Sequence, residues 1–277
     1  MNTVVIPAGW QLDASGPKAY ERYLVPRLFS PWAEHLIDFT GLASGERVLD
    51  VACGTGIVAR RAAARLDGCG SAAGIDLNEN MLAVAREASP DLAIEWRWAD
   101  AVALPYSDSV FDVVFCQQAF QFLPDRPAAI GEMARVLVPG GRLGLGILRP
   151  LERNPGWEVL AAAMERHAGE QAGAMMRSPF AGITPGEIGS LLGVAGFEDV
   201  RIRMDILPVR YRSPREFFRE EAASSPMADS LMALPPAVVA AIENELTNTL
   251  RTYSDDDGIV FPSETYMVSA RCAKAVR

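Results

Sequence analysis

The sequence predicts an α/β fold, a mostly parallel sheet covered by helices on both faces. Three observations carry that expectation. From Arg47 onward short apolar runs alternate with amphipathic stretches, a turn containing Gly54 and Gly56 joins the first run to the first of these stretches, and acidic residues stand at the ends of three successive runs.

The elements follow in order. "RVLDVA" reads as a strand, "IVARRAAARL" as a helix, "SAAGIDL" as a strand and "ENMLAVAREA" as a helix. "AIEWRWAD", "VFDVVFCQQAF" and "RLGLGIL" supply further strands, with "PAAIGEMARVL" as the helix before the last of them. Ahead of this core, Pro17 to Leu42 carries apolar residues at helical spacing interrupted by Pro26 and Pro31, which predicts two short helices. After Pro150, "GWEVLAAAMERHAGEQAGAMM" reads as one helix and "TPGEIGSLLGVAGF" as another, with Thr184 and Glu187 placed to start it. "DVRIRMDILPVRY" and "TYMVSARCA" read as two late strands, separated by a helical insertion at about 213–257.

Composition narrows the function. A chain of 277 residues with 49% apolar content can bury a substantial core. Its 26 basic and 35 acidic residues give a charge of −9, and no basic stripe is present to neutralise many phosphates, so nucleic acid is not the expected partner. Cys53, Cys69, Cys116 and Cys272 show no metal-ligand spacing with one another or with histidine, so no metal is expected and the thiols read as reduced. No leader-like start and no run of eighteen apolar residues is evident, so the expectation is a cytoplasmic protein without a membrane partner.

The glycine turn marks a ligand site at the carboxyl ends of the strands, because glycine admits unusual dihedrals and the following helix presents unpaired N–H groups. Taken alone the turn fits several nucleotide-binding families, or a tight connection without a ligand. Asp76, twenty residues beyond Gly56, suits the hydroxyls of a ribose in either a nicotinamide or an adenosine-type cofactor. Asp50 and Asp100 separate the two. A carboxylate beside the turn repels a pyrophosphate and attracts a sulfonium and an amino group.

From Val48 to Leu148 the chain resembles the class I S-adenosylmethionine-dependent methyltransferases, and within them the type 11 group that acts on small molecules. The resemblance rests on four segments in order: "VLDVACGTG", "GIDLNENML", "WADAVALPYSDSVFDVVFCQQAFQFLPD" and "EMARVLVPGGRLGLGI". It implies a Rossmann-like, seven-stranded, mostly parallel sheet, S-adenosyl-L-methionine as cofactor and a small-molecule methyl acceptor. It also implies residues 1–45 as an N-terminal helical cap and 46–277 as the methyltransferase domain, with a cofactor half at 46–150 and a substrate-side half at 151–277.

The resemblance further implies roles for single residues. Gly54 and Gly56, with the main chain at Ala52, would support the methionine part, and Asp50 would reach toward its amino group. Asp76 would accept from the ribose hydroxyls, with Leu77 and Met81 packed on sugar and adenine. Asp100 would take the adenine amino group, the Ala101 amide would face a ring nitrogen, and Gln117 would lie near the reactive methyl. Gln118, Gln121 and Tyr23 are candidates for positioning the acceptor. Gln121 stands where many relatives carry histidine, and a carboxamide takes no proton at neutral pH, so positioning is expected to dominate.

The bland readings remain beside these. Cys53 reads as packing, His35 and His167 as helix-surface residues, and Met81 fits a core position equally well. Tyr20, Tyr23, Trp32, Phe217, Phe218 and Tyr253 together suggest an apolar acceptor pocket, and Asp255 to Asp257 a solvated loop. A nicotinamide-dependent oxidoreductase and a non-catalytic cofactor-binding scaffold are the alternatives.

Overall fold

The computed structural model describes residues 10–13, 15–180 and 182–273. The first nine residues of the expected N-terminal cap lie outside them. One sheet organises the chain. Its strands are β1 (Arg47–Val51), β2 (Ser71–Asp76), β3 (Ile94–Trp98), β4 (Phe111–Gln117), β5 (Leu137–Leu148), β6 (Phe197–Tyr211), β7 (Ser254–Asp255) and β8 (Gly258–Cys272). The order is β3-β2-β1-β4-β5-β8-β6, parallel through β5, with β8 antiparallel to both of its neighbours and the two-residue β7 added on β8. The short β7 makes eight strands where seven were expected.

The strand sequences explain their places. β1 is buried from Val48 to Val51 because helices cover both sides of a central parallel strand, whereas the edge strand β3 leaves Glu95, Arg97 and Trp98 exposed. Asp50 pairs with Gly74 of β2 on one side and Phe115 of β4 on the other. Strand order therefore reverses at β1, which opens the crevice at its carboxyl end where ligands bind in such sheets.

The expected pair of N-terminal helices forms one uninterrupted helical run. α1 (Gly16–Ala19) passes into a π-helical segment, Tyr20–Phe29, and then into α2 (Ser30–Thr40). Pro26 does not end the run. The segment widens around it, so the missing N–H and the bulk of the ring are absorbed by the longer turn. Trp32, Leu36 and Ile37 of α2 are fully buried, each worth about 1.5–3 kcal/mol of apolar burial.

The remaining helices are α3 (Ile57–Leu66), α4 (Glu79–Glu87), α5 (Arg126–Val136), α6 (Pro155–Ala168), α7 (Glu170–Arg177), α8 (Pro185–Val194), α9 (Pro214–Ala223), α10 (Ala228–Met232) and α11 (Pro236–Thr249). The single helix expected after Pro150 is two, broken at Gly169, whose φ of 104° leaves the helical region. Thr184 and Glu187 form the capping box at the start of α8. Helices α9 to α11 lie between β6 and β8, as the expected insertion does. Arg27 ties that insertion to the N-terminal run, reaching Glu216 at 3.2 Å and Glu220 at 3.1 Å with its guanidinium 4.2 Å from the centre of the Tyr211 ring.

Candidate active site

A cavity of about 270 Å³ opens at the carboxyl ends of β1, β2 and β4, roofed by the N-terminal run and by α6, α7 and α9. Its lining combines two chemistries. Asp50, Gly54, Asp76 and Asp100 supply acidic groups and main chain to its lining, and Trp10, Phe122, Trp157 and Phe180 supply aromatic rings. Among the described residues, four carboxyl groups, Glu221 being the fourth, and no Lys, Arg or His line it.

The turn after β1 is built by three positive-φ residues. Ala52 (φ 53°), Gly54 (φ 56°) and Gly56 (φ 79°) reverse the chain before α3, and the Cys53 amide donates to the Ile75 carbonyl at 2.9 Å. The two glycines serve different ends. Gly54 faces the cavity, where a Cβ would have only the Tyr20 hydroxyl at 4.0 Å. Gly56 lies outside the lining, and a Cβ there would meet Trp96 Cη2 at 2.1 Å. Packing by itself requires a glycine at 56. The indole of β3 lies over the helix start and leaves no room for a side chain.

Asp76 accepts the Gly54 amide at 2.8 Å on one oxygen and the Asn78 amide at 2.8 Å on the other. Burial raises its pKa, and the amides of Asn78, Gly54 and Leu77 act against that rise. Asp50 accepts the Ala59 amide in the first turn of α3 at 3.0 Å. Burial pushes its carboxyl up to about 8, opposed by the Ala59 hydrogen bond and reinforced by the nearby Asp76 charge.

Asp100 does not end its strand. β3 stops at Trp98, because the chain turns there, and the Asp100 carboxylate accepts the Val102 amide at 3.2 Å within the turn. It lines the cavity rim with buried Ala101, while Met81 is buried below and Leu77 stands 45% exposed at the edge. Cys53 lines the wall as a buried thiol, and burial raises its pKa well above the usual value, so it has no thiolate character.

Beyond β4 three glutamines meet at the cavity. Gln117 donates Nε2 to the Phe29 carbonyl at 3.0 Å, and Gln121 donates to the Gln118 carbonyl at 3.0 Å. Gln118 takes a left-handed φ of 51°, held by its amide on the Gly146 carbonyl at 2.6 Å. The Oε1 atoms of all three are buried without a hydrogen-bond partner, the kind of unsatisfied group that a bound molecule repays with about 1–3 kcal/mol.

Tyr23 is not at the cavity. Tyr20, Leu24 and Leu28 form the lining face of the N-terminal run, and Tyr23 lies off that face with the Arg22 guanidinium 5.2 Å from its ring centre. Of the aromatics expected to enclose the acceptor only Tyr20 lines the space. Trp32, Phe217 and Phe218 are core residues, and Tyr253 packs against the same core. The lining aromatics Trp10, Phe29, Phe122, Trp157 and Phe180 went unremarked in the sequence because their helical spacing looks like ordinary core. His35 sits 3.4 Å from Asp205 and His167 2.8 Å from Glu245, both away from the cavity. Asp255 is paired with Arg210 at 2.6 Å beside the β7 turn.

Comparison with known proteins decides between the remaining readings. A model of the methyltransferase domain matches residues 49–145. The 2-phytyl-1,4-naphtoquinone methyltransferase of Thermosynechococcus vestitus is 33% identical over 180 residues, covering 61% of this chain and 80% of that one. The chain belongs to the methyltransferase domain family. It is a class I S-adenosylmethionine-dependent methyltransferase of small molecules.

A second relative of this methyltransferase, the 27-O-demethylrifamycin SV methyltransferase of Amycolatopsis mediterranei, is 38% identical over 117 residues, 41% of this chain and 42% of that one. The chain thus spans less than half of that relative. In fold it is similar to phosphoethanolamine N-methyltransferase 2 of Haemonchus contortus, with a TM-score of 0.60 at 19% identity, covering 94% of this chain and 57% of the other. The nicotinamide alternative finds no support. The lining fits a cationic adenosine cofactor, since carboxyl groups without basic neighbours attract a sulfonium and offer nothing to a pyrophosphate. No helix among the described residues is long and apolar enough to cross a membrane.

Proposed function

We propose that this methyltransferase moves its methyl group to a small, largely apolar aromatic acceptor held between the N-terminal run and helices α6, α7 and α9. One observation carries the reading. The carboxyl groups of Asp50, Asp76 and Asp100 and the rings of Trp10, Phe122, Trp157 and Phe180 line one and the same cavity.

In this reading Asp76 receives the ribose hydroxyls, for which its two amide bonds already orient the carboxylate. Asp100 and the Ala101 amide read the adenine edge, and Leu77 and Met81 pack on its faces. The main chain at Ala52 and Gly54 lies along the methionine part, with the Asp50 carboxyl group behind it. Gln117, Gln118 and Gln121 orient groups where cofactor and acceptor meet.

S-adenosylmethionine supplies, when bound, a methyl already activated on a sulfonium. The chain's own residues then mainly align the acceptor and exclude water. The aromatic walls of Trp10, Phe122, Trp157 and Phe180 favour a planar ring. The naphthoquinone and the rifamycin in the names of two relatives agree with that class.

Calorimetric titration with S-adenosylhomocysteine and with NADH tests the cofactor, with binding of the first alone expected. A screen of phenols, quinols, amines and carboxylates for gain of one methyl tests the acceptor. Transfer only to small charged amines would overturn the aromatic reading.

A further inference from the structure

Glu221 belongs to the insertion helix α9, far in sequence from every cofactor residue, yet it lines the cavity beside Trp157. Its residue surface is only 3% exposed. The Tyr211 hydroxyl at the end of β6 donates to its Oε1 at 2.8 Å. A carboxamide would accept that proton equally well without the cost of burying a charge, so holding Tyr211 does not account for a carboxyl here. Apart from Asp50, Asp76 and Asp100, assigned above to the cofactor, the other described lining residues are uncharged, and both histidines lie outside the cavity.

We infer that Glu221 is the general base of the methyl transfer and that the acceptor presents a hydroxyl on an aromatic ring. The inference rests on the aromatic-acceptor reading above. Glu221 takes the hydroxyl proton while the acceptor oxygen forms its bond to the methyl carbon. The S–CH3 bond breaks with its electron pair passing to sulfur, so the products are a methyl ether, neutral S-adenosylhomocysteine and a protonated Glu221 that returns its proton to water. Tyr211 is the positioning residue, since its hydroxyl fixes Oε1 of the carboxyl group.

The surroundings suit a base working near neutrality. Burial pushes the Glu221 carboxyl up to about 7, while hydrogen bonds from Tyr211 and Trp157 act against the rise. Neighbouring Glu220 on α9 raises it further, and Arg27 from the N-terminal run lowers it. Glu243 of α11, the other acid packed near α9, is directed to Arg215 and Arg219.

The test uses the full chain, S-adenosylmethionine and a panel of phenols that includes 1-naphthol, with Glu221→Gln and Tyr211→Phe as variants. Both variants are expected to bind S-adenosylhomocysteine as the parent does, which reports their folding. The parent's kcat should rise with pH through about 7, and Glu221→Gln should lower kcat by about 10²–10⁴-fold, leave KM for S-adenosylmethionine unchanged and abolish that limb. Tyr211→Phe removes a donor to the carboxylate and should move the limb to higher pH. Independently of turnover, the infrared carboxylic-acid band that fades as pH rises through about 7 should be weaker by one carboxyl in Glu221→Gln than in the parent, with Glu220 and Asp50 supplying the part that remains.

A Glu221→Gln variant with parental kcat and pH limb overturns the assignment. Transfer confined to acceptors without a hydroxyl overturns it too, while methyl transfer itself stands. A protein that binds S-adenosylhomocysteine and methylates nothing in the phenol, amine and carboxylate panels overturns the functional reading together with the base.

Discussion

The Gly54 amide donates to the Asp76 carboxylate at 2.8 Å, which ties the turn after β1 to the end of β2. Two segments that are 22 residues apart in sequence thereby form one wall, and the carboxylate is aimed before any ligand arrives.

Replacement of Asp76 therefore has a double effect. Asp76→Asn turns one oxygen into a donor, which disturbs the Gly54 contact and removes charge-assisted bonds worth roughly 1.5–3 kcal/mol each. Affinity for S-adenosylhomocysteine is expected to fall at least about tenfold in a folded variant, as measured by calorimetry. Parental affinity would remove Asp76 from the cofactor site.

The two glycines of the turn are expected to separate stability from binding. Gly56→Ala drives a methyl into Trp96 at a φ of 79°, and the loss should reach about 2–4 kcal/mol by chemical denaturation. Adding Trp96→Ala should relieve the clash and leave about 1–2 kcal/mol of backbone strain. Gly54→Ala, free of such a clash, should retain most stability and weaken cofactor binding instead.

Asp50 predicts a pH dependence of known sign. Its carboxyl is raised to about 8 by burial, so it is neutral below that pH and becomes a carboxylate above it. Affinity for the cationic S-adenosylmethionine should rise relative to S-adenosylhomocysteine between about pH 6 and about pH 9, and the rise should vanish in Asp50→Asn. The same sign governs folding. A raised carboxyl favours the folded state when protonated, so its contribution to stability is full below the ordinary carboxylate range and is lost as pH rises toward about 8.

Neither histidine is expected to shape the pH profile of the reaction. His35→Gln breaks the contact to Asp205 and His167→Gln the contact to Glu245, both outside the cavity. Each variant should keep kcat within about twofold, since such partly exposed pairs contribute roughly 1 kcal/mol or less to stability. Loss of the pH limb in either would displace Glu221 as the base.

What the sequence determined by itself was the local part of the molecule. The alternation of apolar runs sets strands β1 to β5 and their helices, because period and burial are written in neighbouring residues. The acids at 50, 76 and 100 and the glycine at 54 reach the cavity because each stands at or just past the carboxyl end of a strand, and the parallel sheet brings those ends together. The absence of histidine after β4 was legible too, and it left the question of a base open.

Only the tertiary structure decided the rest. Gly56 could not be told from Gly54 until Trp96 came across from β3, and Tyr23 could not be told from Tyr20 until Pro26 widened the helix between them and α2. Glu221 gave no signal, since an acid in "REEAA" reads as the solvated face of a helix. It becomes a buried carboxyl lining the cavity when β6 and α9 close over it, and that closure depends on contacts between residues far apart in the chain.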